Sequence, residues 1–322
     1  MRGKGEVERQ TVRIGVKAYK LIFADFRTSG LFALQQVVRV FYAACITRKG
    51  KIARGLFLVL FLSWGQGYAA QETAVPDPCT GFLAIIGRPT VSDSPCAVPA
   101  GRVVLEVGFQ RAKLRGPGGT ADNYPEAVVR IGLPGKNEFV FLPSNYNRQK
   151  TQAGQNSPSE NISGLSAVTI GFKHELGYDR RWLGAAEALL TLPSGGESFG
   201  SEDFGAAFNG IVSYSVSEQV SLSLQLGVSS QTTPALAGGE RFTSVISNIV
   251  ATWQPLERLQ FFGELFGQSS TGPGEGAGYN ADGGVQYLLA PAWEIDLEGG
   301  LRVSGNLGGL NHYFGMGIGH QF

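Results

Sequence analysis

Histidine occurs three times in 322 residues, cysteine three times and methionine twice, and only 16% of the side chains are charged. Each shortage closes off some chemistry. His174, His312 and His320 stand in no Ser–His–acid arrangement, and with so few cysteines they leave little from which to build a metal centre. No cofactor or metal site is expected. No apolar run approaches the roughly 20 residues of a membrane-spanning helix, and helical periodicity is weak after residue 70. What abounds is glycine, 46 residues of it, beside 43% hydrophobic residues that exclude a disordered chain.

The net charge of +1 conceals a segregation. Residues 1–70 carry 12 of the 27 basic and 3 of the 26 acidic side chains, so the remainder holds 15 basic against 23 acidic. An acidic remainder argues against nucleic acid as a partner. The basic part ends in "RKGKIARGLFLVLFLSWGQGYAAQE": a basic cluster, the apolar run Leu56–Leu62, then small residues ending at Ala69 or Ala70 as alternative cleavage points. Residues 48–70 are therefore expected to be a secretory signal peptide, and 1–47 a basic extension absent from the mature protein. Cys45 falls in the removed part, leaving Cys79 and Cys96 in an oxidising compartment. A bridge between them would stabilise by roughly 3 kcal/mol in the chain-entropy model; two free buried thiols are the alternative. Residues 71–101 are expected as a periplasmic, disulfide-containing segment ahead of the main domain.

From residue 102 the pattern repeats. In "QVSLSLQLGVSS" (219–230) Val220, Leu222, Leu224, Leu226 and Val228 share one face, while serine, glutamine and glycine fill the other. About twelve such segments recur, most about 9–13 residues long, the length of a tilted membrane-crossing strand. Short connections ("PGK", "GYDRR", "VSEQ", "PLER", "APA") alternate with long ones such as "RGPGGTADN", "SGGESFGSEDF" and residues 145–164. Short turns on one side and long loops on the other mark an outer-membrane barrel. The fold expected over 102–322 is an all-β, twelve-stranded antiparallel transmembrane barrel. A soluble sandwich would carry Lys, Glu and Thr on its polar face, where this chain carries mostly Ser, Gly, Asn and Gln. The loop 145–164 could fold inward as a constriction or be mobile.

Parity separates the faces. A charge facing lipid costs up to about 2–4 kcal/mol, so mid-strand polar residues should face inward. Glu106, Glu126, Arg130, Lys173, Glu187, Asn209, Asn248, Glu264, Asp282, Asp296 and Glu298 form the expected lumen lining, either bracing the interior or touching solute. Acids outnumber bases among them, which disfavours anions. The chain ends on "YFGMGIGHQF", with Phe314, Met316, Ile318 and Phe322 at lipid-facing positions. Such a terminal strand resembles the signal by which the barrel-assembly machinery recognises its clients.

In order along the chain, "YPEAVVRIGLPGKNEFVF", "LSAVTIGFKHEL", "ALLTLPSGG", "FFGELFG" and "APAWEIDLEGGL" resemble the MetA-pathway phenol-degradation family, a group of outer-membrane barrels labelled transporters. The resemblance covers roughly 102–322, and "CTGFLAIIGRPTVSDSPC" is also similar to the segment ahead of the barrel in some relatives. It implies a twelve-stranded barrel that takes up small, often aromatic or hydrophobic compounds. The expected function is passive uptake of such a solute across the outer membrane, in contact with its lipid. The alternative is a plugged structural or surface-interaction barrel, and a barrel lipid hydrolase or protease ranks third.

Overall fold

In the computed structural model the described residues are 75–115, 119–151 and 160–322. The expected extension 1–47 and signal peptide 48–70 lie outside them.

The strands are β1 (Val103–Leu114), β2 (Gly119–Leu133), β3 (Asn137–Leu142), β4 (Tyr146–Thr151), β5 (Asn161–Leu165), β6 (Thr169–Tyr178), β7 (Trp182–Thr191), β8 (Gly205–Ser215), β9 (Val220–Thr232), β10 (Arg241–Leu256), β11 (Leu259–Gln268), β12 (Gly278–Ala290), β13 (Trp293–Ser304) and β14 (Leu310–Gln321). All pair antiparallel, and β1 bonds to both β2 and β14, which closes the sheet. One half of β2 pairs with β3 (Val129↔Phe141 to Leu133↔Asn137) and the other with β4 (Gly119↔Thr151 to Tyr124↔Tyr146). Likewise β3 pairs with β6, and β4 with β5. Thus β3 with β4, and β5 with β6, are two wall strands each broken once, and the ring has twelve positions.

The break has a cause in sequence. Pro125 in β2 has no N–H to give a ladder, and it sits where β1 and β2 slip register between Gly108↔Glu126 and Gln110↔Asn123. Opposite it the partner strand stops at 143–145, and Asn145 supplies side-chain and backbone partners instead. Its Oδ1 accepts from Ala127 N at 3.3 Å, and its N–H donates to Ser166 Oγ at 2.9 Å.

Beyond the break lies a departure from the sequence reading, which took 145–164 as a loop. Its described flanks are the paired strands β4 and β5. "YNRQKT" shows no apolar alternation because it has no greasy band to face, so period two is lost although the backbone is extended.

Outside the ring, side chains that would be core in a soluble protein are exposed: Leu222, Leu224, Leu226 and Val228 on β9, and Ile295, Leu297 and Leu301 on β13. Phe314, Met316, Ile318 and Phe322 are 40–58% exposed on the same outer face. An apolar patch encircling the sheet needs lipid against it. At the short-turn end aromatic rings pair up: Trp182 with Tyr214 at 4.7 Å, Trp253 with Phe261 at 5.5 Å, and Trp293 with His320 at 3.9 Å between centroids. This is an interfacial girdle. His320, the odd residue in the terminal pattern, serves in it as an aromatic; its Nδ1 lies 2.9 Å from the Ala292 carbonyl, which can only accept. Replacing Leu226, at the middle of β9, with Arg should therefore cost about 2–4 kcal/mol in reversible urea unfolding from bilayers. The substitution Ser229→Arg, on the opposite face, separates the lipid term from any general intolerance of β9 to arginine.

Candidate functional site

The twelve-stranded ring is not empty. Residues 75–101 lie among its inward-facing side chains. The segment begins with Asp77, whose carboxylate accepts from Cys79 N at 2.9 Å and caps a short 3-10 turn, with Pro78 at the position that needs no N–H. A single turn of helix, α1 (Phe82–Ile85), follows. Phe82, Ile85, Ile86 and Val98 pack on Val104 of β1 and Leu183 of β7 in one buried cluster. The alternative left open for the cysteines is resolved: Cys79 and Cys96 are bonded, with Cα atoms 5.3 Å apart. The sequence reading expected 71–101 as a periplasmic segment ahead of the barrel and left open whether its Cys79–Cys96 part plugs the lumen; the described part lies within the ring as a plug.

Beyond α1 the plug has almost no secondary structure, so its backbone groups need partners. The wall supplies them. Glu106 accepts from Gly87 N at 3.1 Å and Arg88 N at 2.7 Å. Glu264 takes Val91 N, Ser92 N and Ser92 Oγ at 2.6–2.8 Å. Gln225 accepts from Asp93 N at 2.8 Å and Glu138 from Val98 N at 2.7 Å. The plug's carbonyls meet the cations and amides. Arg130 donates to Ile85 O and Cys96 O, Lys173 to Ser94 O, and Gln286 to Arg88 O. Carboxylates only accept and guanidinium only donates, so an acid-rich wall suits a segment with many free N–H groups.

Two arginines are hubs. Arg130, 4% exposed, forks onto Glu138 at 2.7 and 3.0 Å and reaches Glu106 at 3.1 Å. Lys173 adds a second cation 3.3 Å from Glu138. Arg88, from the plug, reaches Glu126 at 2.8 Å and Asp296 at 3.3 Å. Burial opposes its charge, yet Asp296 and Glu126 hold its proton more tightly than in an ordinary arginine.

Glycines make room for these groups. Gly315, Gly317 and Gly319 are inward residues of the terminal strand, and a β-carbon on them would overlap Glu298, Arg88 and Ile86 respectively. One on Gly132 would overlap the Pro99 carbonyl oxygen and lie 2.5 Å from that of Val98. The small residues alternating with large ones at the chain's end are thus a seat for the plug.

Of the residues expected inside, Glu106, Arg130, Lys173, Glu187, Asn209, Asn248, Glu264, Asp296 and Glu298 are buried, and Glu126 and Asp282 are partly so. Glu106, Glu126, Arg130, Lys173, Glu264 and Asp296 join the plug network, Glu187 meets the Asp93 side chain of the plug, and the others stay on the wall. Asn209 Nδ2 donates to Glu187 at 3.0 Å, Asn248 Oδ1 accepts from Gly267 N at 3.3 Å, and Asp282 accepts from Tyr313 Oη. Arg88 and Glu138 were not picked out by sequence, whereas Gln225 and Gln286 fell on the inner parity without being named as lining residues. Glu138 carried a usable signal, since Phe139 and Phe141 set the outer phase of "NEFVF". Arg88 lies in no alternating run and carried none. Toward the long loops, inward Ala112, Phe266, Leu310 and Tyr313 form an apolar constriction. His174 Nδ1 sits 2.8 Å from Asn137 Oδ1, so the bonds of His174 and His320 run to an amide and a carbonyl.

The family described as "Putative MetA-pathway of phenol degradation" matches residues 86–316, from within the plug almost to the last residue. The chain belongs to this family. No curated protein sequence matches it. Among solved structures, an outer-membrane channel from Pseudomonas putida F1 is similar, with a TM-score of 0.55 at 10% identity over 73% of this chain and all of that one. The KdgM porin aligns with a TM-score of 0.43 at 8% identity, over 67% of this chain and 99% of that one. With its closed ring and lipid-facing exterior, this family member is an outer-membrane β-barrel.

Proposed function

We propose that the protein is a conduit for passive uptake of small molecules, aromatic or hydrophobic ones among them, and that the plug must shift for the lumen to open. The observation that carries this is how the plug is attached. Its backbone-to-backbone bond with the wall is Gly101 N to Gly132 O, at the root of the segment. Among the described residues, every other polar attachment runs through a wall or plug side chain, which water can replace without breaking the sheet. The apolar constriction on the long-loop side supports a solute with an apolar body, and the family and the channel from Pseudomonas putida agree with passage of solute. The outward Phe314, Met316, Ile318 and Phe322 are the residues we assign to recognition by the assembly machinery.

The occupied lumen favours a second reading, a permanently closed barrel with a structural or surface role. Liposome flux of phenol, benzoate and a small organic cation separates the two. Deleting residues 75–98 should raise permeation at least tenfold, with cation favoured over anion because Glu106, Glu138 and Glu264 lose their plug partners. A barrel that folds, shown by its heat-modifiable mobility, yet passes nothing before or after deletion establishes the closed reading.

A further inference from the structure

At the long-loop end, Arg115 after β1, the β11–β12 loop and the β13–β14 loop line a cavity of about 450 Å³. Two arginines line it. Arg302 shares the parity of Glu294, Asp296 and Glu298 on β13, so it belongs to the inner face of the mouth. Arg115 follows β1 directly. Both guanidinium groups turn to the same neutral acceptor, the Gly305 carbonyl, Arg115 Nη1 at 2.9 Å and Arg302 Nη1 at 3.4 Å. Arg115 also donates to Asn306 Oδ1 at 3.2 Å. Neither has a carboxylate within ion-pair distance among the described residues, and Arg302 Nε is buried without a partner.

Two other arginines toward this end are paired with carboxylates, while Arg148 donates to Asn161 Oδ1 at 3.2 Å. Arg241 meets Asp203 at 2.6 Å and Arg111 meets Asp122 at 2.6 Å. The exposed carboxyl of Asp203 is held below its ordinary value by that bond to Arg241. Glu275 lines the same cavity, and one oxygen of its carboxylate accepts from Thr271 Oγ1. Two like charges brought to one carbonyl repel, and a buried guanidinium N–H without an acceptor is costly. An oxyanion bridging both would relieve the two penalties together through charge-assisted bonds.

We infer that Arg115 and Arg302 form an oxyanion site at the external mouth, which takes the carboxylate of a small organic acid before it meets the apolar constriction. The cavity is large enough for a small ligand. The same chemistry is offered by the phosphate of a lipid headgroup, but the inward parity of Arg302 favours a dissolved solute. The inference deepens the uptake reading, yet binding at equilibrium requires no flux.

Titration calorimetry of the full chain in a neutral detergent tests it, with benzoate as probe, benzyl alcohol as the uncharged control and a phosphorylated lipid headgroup as the competing source. Saturable benzoate binding is expected, weakened at least tenfold in Arg302→Gln and in Arg115→Gln, with little binding of benzyl alcohol. Glu275→Gln, which leaves both arginines in place, should bind benzoate as well as or better than the unaltered chain. No benzoate binding, undiminished benzoate binding in both arginine variants, or binding of the phosphorylated headgroup alone overturns the site. Saturable binding in a protein that passes no solute would keep the site and remove the uptake reading.

Discussion

Arg130→Met should destabilise the barrel by about 3–5 kcal/mol, the usual cost of removing one partner from a buried charged network. The loss is expected to be large because five bonds disappear together. Arg130 serves Glu138 twice, Glu106 once, and the carbonyls of Ile85 and Cys96. Without it, Glu106 keeps only the plug N–H groups of Gly87 and Arg88, while Glu138 keeps Lys173 and Val98 N. Two carboxylates would then sit under the plug with little cation to offset them, so the plug should loosen as the barrel weakens. Arg130→Lys keeps the charge but not the fork, and should fall between Met and the natural residue. Urea unfolding followed by tryptophan fluorescence, with protease access to 75–101 under native conditions, reads both effects. A midpoint within about 0.5 kcal/mol of the unaltered protein, with the plug still protected, would show that the hub is not what holds the segment.

The barrel was legible in the sequence because lipid and lumen impose opposite polarity on alternate residues. "VSLSLQLGV" can be read in only one phase, and the strand pairs as that phase requires, Leu224 with Ile249 and Val212 on the outer face and Gln225 with Asn248 and Ile211 on the inner. Where either solvent is missing, the code fails. β4 and β5 pass beyond the greasy band and read as loop. The plug touches no lipid, and its conformation is set by partners distant in sequence: Arg88 and Asp296 are 208 residues apart. Sequence could say that acids outnumber bases inside. It could not say that they face the N–H groups of a segment read as lying outside the barrel, because that pairing is a property of the closed ring.

The glycine seat leads to the other large effect. Gly132→Ala should push the plug from its place, because the added carbon would collide with backbone, the Pro99 and Val98 carbonyl oxygens, rather than with the movable end of a side chain. Those carbonyls adjoin the root of the segment, where Gly101 N bonds Gly132 O at 3.0 Å, and the Val98 N bond to Glu138 lies beside them. Overpacking of this kind costs about 1–3 kcal/mol when strain is spread through a core. Here the plug's side-chain-mediated attachments offer a softer route, so the strain should leave as displacement of 75–101 while the strands stay paired. Gly184→Ala is the control: its new carbon would face lipid, with nothing nearer than 3.9 Å. The expected pattern is faster proteolysis within 75–101 and greater phenol flux for Gly132→Ala, unchanged heat-modifiable mobility for both variants, and neither change for Gly184→Ala. Equal protection of the segment in the two variants would mean that the wall bends at Gly132 more readily than the plug yields, and the seat would then be a place of contact without being what sets the plug's position.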